Sequence, residues 1–77
     1  MNQLMPLTMV SPGRTVQLAD VRCGWGLQRK LADMGLTPGL IFRVINSQMP
    51  GPVIIDLRGS RLALGHGMAL RILVKEV

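Results

Sequence analysis

Apolar and polar residues change their spacing several times along this chain, and each change marks an element. Val16 and Leu18 alternate with Thr15 and Gln17, the period of two expected of a half-buried strand. From Trp25 to Met34 the period lengthens. Leu27, Leu31 and Met34 fall at i, i+4 and i+7, one stripe of a helix, with Gln28, Arg29, Lys30 and Asp33 on the other side. Gly35 follows directly, where a left-handed residue stops a helix, and Leu36 is placed to fold back over the last turn.

Downstream the period returns to two. Leu40 to Gln48 reads as the longest strand, with Leu40, Phe42 and Val44 on one face and Ile41, Arg43 and Ile45 on the other. Val53 to Arg58 is a β-branched run, Arg61 to Leu64 a returning strand, and Leu70, Ile72 and Val74 alternate in a last one. Turn residues fill the gaps: Ser11-Pro12-Gly13, Thr37-Pro38-Gly39 as a type II turn, the 49–52 loop with its two prolines, Gly59-Ser60 as a two-residue hairpin turn, and Gly65-His66-Gly67. Such short strands leave no room for the long crossovers of a parallel sheet. The expected fold is mainly β: one five-stranded antiparallel barrel over residues 1–77, with a short helical insertion over about 26–34.

Composition narrows the function classes. At 77 residues and 48% hydrophobic, the chain is too short for a second domain and too apolar for a disordered tail. Its longest stretch free of charged side chains, Met1 to Gly13, is 13 residues with two prolines, against the ~20 apolar residues of a membrane span. The N-terminus shows no basic stretch ahead of an apolar one, and a single cysteine makes no internal disulfide, so a cytoplasmic setting is expected. Nine Lys and Arg against four Asp and Glu give a net charge of +5, which favours anionic partners: nucleic acid, an acidic protein face or a membrane surface. The cations are spread along the chain, with Arg29-Lys30 the one adjacent pair.

Few residues could carry chemistry. One His, one Cys, no Tyr and four scattered acids give no triad-like spacing, so no enzyme is expected. Cys23 and His66 are candidate metal ligands but lack the short Cys/His spacings of a closed zinc site. Met1, Met5 and Met9 recur every four residues, a thioether spacing interrupted by Pro6. A basic barrel that binds nucleic acid is the rival reading, but stacking needs exposed aromatics and the chain has only Trp25 and Phe42. A protein-binding module accounts for more. The Cys23-Gly24-Trp25-Gly26 turn offers Trp25 either as an interface anchor or as a core plug, and the shortage of large core residues favours the core.

The ordered set of Lys30-Leu31, Met34-Gly35-Leu36, Pro38-Gly39, Gly51-Pro52-Val53, Gly59 and the closing Ala69-x-x-Ile72-x-Val74 resembles the FeoA family, ferrous iron transport protein A, over roughly residues 4–76. The resemblance implies an SH3-like barrel, a fold also present at the C-terminus of DtxR-type metal-dependent repressors. It further implies a cytosolic, non-enzymatic accessory protein that binds and modulates the GTPase domain of a FeoB-type membrane iron transporter. A stand-alone transition-metal-linked regulatory domain is the alternative. No tightly bound cofactor is implied; a loosely held divalent iron, manganese or zinc ion, and a homodimer, are compatible with it. The expected contact surface is the helical excursion: Cys23, Trp25, Leu27, Arg29, Lys30, Leu31 and Leu36.

Overall fold

Glycines with a left-handed backbone set where this chain turns. In the computed structural model, which describes residues 3–48 and 51–77, Gly13, Gly35, Gly39 and Gly59 all have φ near +90°. Between the turns run β1 (Met5–Pro6), a 3₁₀ turn (Leu7–Met9), β2 (Thr15–Val21), α1 (Trp25–Asp33), β3 (Ile41–Asn46), β4 (Val53–Leu57), β5 (Ser60–Leu64), α2 (His66–Ala69) and β6 (Ile72–Glu76). The strands form one antiparallel sheet in the order β1-β6-β2-β3-β4-β5. Register irregularities between Leu18 and Asp20 and between Val44 and Asn46 bend it around the core.

The period-two pattern becomes packing through this register. Val16 faces Phe42, Val44 faces Ile55, Leu18 faces Val74 and Val53 faces Leu64, and all eight are buried. Leu31 of α1 and Leu36 just beyond it close the core on one side, and Leu7 and Val10 close it from the segment after β1. Among the described residues no polar or charged residue is buried, so the core is held by apolar contact alone. The outward face carries the charge, in the cross-strand row Thr15–Arg43–Asp56–Arg61.

The mainly β, SH3-like class expected of the sequence is the one observed, with several differences in detail. Among the described residues the strand count is six rather than five, because Met5–Pro6 pairs with Val74 and Leu73. The ladder is an open sheet whose edges are β1 and β5, not a closed barrel. Leu70 is the C-cap of α2 and 48% exposed rather than the first residue of the last strand. Gly65-His66-Gly67 does not simply break the chain, since His66–Ala69 is a helical turn. The β4–β5 hairpin turns one residue early: Leu57 pairs with Ser60, so Arg58 and Gly59 are the turn residues, with φ of 51° and 91°. That is the two-residue, positive-φ turn that suits the strand twist, and Asp56 Oδ1 fixes it by accepting the Gly59 N–H at 2.8 Å. Met49 and Pro50 of the expected 49–52 loop, like Met1 of the methionine spacing, lie outside the described residues.

Candidate partner-binding surface

The excursion from the sheet begins where β2 ends. Asp20 Oδ1 accepts the Val21 N–H at 2.8 Å, and the Arg22 N–H donates to the Arg71 carbonyl at 2.7 Å. Gly24 is the N-cap of α1 and provides no side-chain cap. Gln28 holds the helix instead: its Nε2 donates to the Val21 carbonyl at 3.0 Å and the Cys23 carbonyl at 3.3 Å. The helix ends as a Schellman motif. The Gly35 N–H reaches the Ala32 carbonyl, the Leu36 N–H reaches the Leu31 carbonyl (both 2.9 Å), and buried Leu36 packs with buried Leu31 in the core. Thr37 to Leu40 then makes the expected turn, closed by Leu40 N–H to the Thr37 carbonyl at 3.1 Å with Gly39 at φ +94°.

This anchoring sorts the residues expected at a contact surface. Leu31 and Leu36 are core, and Leu27 and Cys23 are half-buried against it. Trp25 does not plug the core; it is 80% exposed. Trp25, Gln28, Arg29 and Ala32, at i, i+3, i+4 and i+7, share the outward stripe of α1 and line an open cleft of about 520 Å³. Lys30 is exposed in the last turn of the helix, outside that cleft. A second hollow of about 160 Å³ lies alongside, lined by Asp20, Val21, Gln28, Ala32, Leu36, Thr37 and Pro38. Gln28 and Ala32 border both, so the two form one continuous surface. Sequence reasoning missed Ala32 and Gln28; the outward stripe was readable from Trp25 by helical spacing, but the Gln28 tie depends on where β2 ends.

The candidate metal ligands lie on different elements. Cys23 lies in the β2–α1 turn as a free thiol, and His66 opens α2 with its Nδ1 buried and without a hydrogen-bond partner. Among the described residues no three His, Cys, Asp or Glu side chains gather where one ion could reach them. Met5 packs against the core in β1 while Met9 is 71% exposed in the 3₁₀ turn, so these two thioethers do not share a helix face. No helix among the described residues is long and apolar enough to cross a membrane.

Comparison with known proteins places this geometry in a family. The family model of the FeoA domain matches residues 5–76. A protein of Methanocaldococcus jannaschii assigned by name as Fe(2+) transport protein A is 36% identical over 73 residues, covering 95% of this chain and 88% of the relative. A crystal structure of an iron uptake regulatory protein (FeoA) superposes with a TM-score of 0.85 at 35% identity, covering 97% of this chain and 99% of the other. A manganese-dependent transcriptional repressor shares the fold, with a TM-score of 0.87 at 19% identity over all of this chain and 44% of its own. The near full-length match in both sequence and fold shows that this chain belongs to the FeoA family.

Proposed function

We propose that this FeoA-family protein is a non-enzymatic, cytoplasmic accessory of ferrous iron uptake that binds the cytosolic GTPase domain of a FeoB-type transporter through the outward face of α1. The observation that carries the reading is Trp25, 80% exposed at the mouth of a cleft it shares with Arg29. A tryptophan left in water forfeits a large apolar burial, and Trp and Arg are both among the residues enriched at the energetic centre of protein interfaces. Family membership supplies the iron-transport setting.

The partner contact rests on the exposed members of the excursion: Trp25, Gln28, Arg29, Lys30 and Ala32. Leu31 and Leu36 support it from beneath, because a buried side chain is not reachable without opening the fold. Gln28, fixed by its two hydrogen bonds, keeps the stripe in one orientation, which lowers the ordering cost of association. Arg29 and Lys30 add an electrostatic component that salt weakens.

The test is calorimetric titration of the wild type and of the Arg29→Glu/Lys30→Glu variant with the transporter's cytosolic domain. The variant is expected to fold normally, since exposed helix charges contribute little to stability, and to bind at least tenfold more weakly with a flatter salt dependence. Equal affinity and equal salt dependence of the two proteins would remove α1 from the interface.

A further inference from the structure

The end of the sheet where β2 stops and β6 begins sets two like charges side by side. The β2–β6 register pairs Val21 with Ile72, so Arg22 and Arg71 are the next facing pair, and the Arg22 N–H is bonded to the Arg71 carbonyl at 2.7 Å. Their Cα atoms are thus roughly 5–6 Å apart. Both residues are exposed. Like charges directly opposite each other across strands are destabilising, and a bound anion relieves the repulsion. Asp20 lies two residues before Arg22, but its Oδ1 accepts the backbone N–H of Val21.

Exposed apolar residues lie close to this pair along the chain. Leu70, next to Arg71, is 48% exposed, and Trp25, three residues beyond Arg22, is 80% exposed. The 3₁₀ turn, which ends at Met9 (71% exposed), packs against α2, the turn that leads into Leu70 and Arg71. The three add apolar surface and, apart from the indole N–H, no strong hydrogen-bonding group, so this end combines two facing cations with exposed apolar side chains. We propose that this end of the molecule, Arg22 and Arg71 with Trp25, Leu70 and Met9, docks on an anionic phospholipid surface.

The chemistry matches that of a lipid interface more closely than that of a nucleic acid or an acidic peptide. Arginines bind headgroup phosphates, and tryptophan is stable at headgroup depth, with its ring in the apolar boundary and its N–H in the wet layer. Leu70 and Met9 offer nothing to a phosphodiester chain or a carboxylate, but both gain by entering the acyl boundary. The anionic leaflet contributes electrostatic attraction for each arginine brought to it. The surface meets the α1 stripe only at Trp25, so it can be altered without touching Arg29, Lys30 or Ala32.

Trp25 is the single tryptophan of the chain, so its emission reports on this site directly. The 77-residue chain is titrated with vesicles of phosphatidylcholine alone and of phosphatidylcholine mixed with phosphatidylglycerol. The expected result is a blue shift with the mixed vesicles only, quenched by brominated acyl chains and reversed by salt. In Arg22→Gln/Arg71→Gln, a fold-neutral change at two exposed positions, partitioning should fall by roughly 30-fold. Leu70→Ser should also weaken it while leaving the net charge unchanged. No shift with mixed vesicles at low salt overturns the proposal, as does an equal shift with phosphatidylcholine alone. Tighter binding of a mixed-sequence oligonucleotide than of the anionic vesicles overturns the choice of lipid.

Discussion

Gly26 and Gly35 respond in opposite directions to the same substitution, although a Cβ at either meets nothing within 4 Å. Gly35 has φ +92° at the stop of α1, so Gly35→Ala should cost about 1–2 kcal/mol through backbone strain alone. Gly26 lies inside the helix, where Gly26→Ala should add about 0.5–1 kcal/mol. Urea midpoints that move the same way for both would contradict this. Arg58 holds a left-handed conformation at φ 51°, so Arg58→Asn should raise the midpoint slightly, by up to about 1 kcal/mol. Trp25→Ala should leave stability within about 0.5 kcal/mol while weakening partner binding by about 2 kcal/mol. A large loss of stability would instead place Trp25 in the core. Its exposure was in fact readable: Trp25 lies about 200° around the helix from Leu27, the opposite side from the buried stripe. The shortage of large core residues pointed the other way and was overruled by that geometry.

α1 is joined to the sheet by two devices, one legible in the sequence and one not. The Gly35-Leu36 stop is set by a single residue's backbone freedom and a single apolar contact, so it can be read locally. The Gln28 tie needs the end of β2 to arrive beneath it, which no local pattern encodes. Gln28→Ala should cost about 1 kcal/mol and speed hydrogen exchange in α1 while leaving the β2–β6 ladder protected. Unchanged exchange in α1 would mean that packing by Leu31 holds the helix unaided. Leu31→Ala, which empties a fully buried site, should cost about 2–4 kcal/mol. The elements that escaped sequence reading are those too short for periodicity. β1 is two residues including a proline, and α2 is four residues containing a glycine. Met34 counted toward the helical stripe but is the C-cap, 37% exposed, facing a hollow lined by Leu40, Leu57 and Arg58. The hairpin lies one residue earlier than the position of Gly59 suggests because Arg58, not a glycine, occupies the first of its two positive-φ positions.

At the scale of the molecule, the alternation of the strands and the α1 excursion were legible because glycines and prolines bound each strand, whereas the pairing register was not. The open edges are protected in the ways expected of a natural sheet. β1 is short and carries Pro6, and β5 is short and carries Arg61. Function was legible only as an ordered set of small motifs, since no single residue in this chain carries a distinctive chemistry. The family match gives the iron-transport setting, and the exposed stripe of α1 is the surface on which the proposed partner contact rests. The most direct measurement is an NMR titration of the labelled protein with the cytosolic domain of the FeoB-type transporter. A docked α1 face predicts shifts concentrated on Trp25, Gln28, Arg29, Lys30 and Ala32, with the outer face around Arg43 and Arg61 undisturbed. Shifts confined to that outer face, or no shifts at high partner excess, would contradict it.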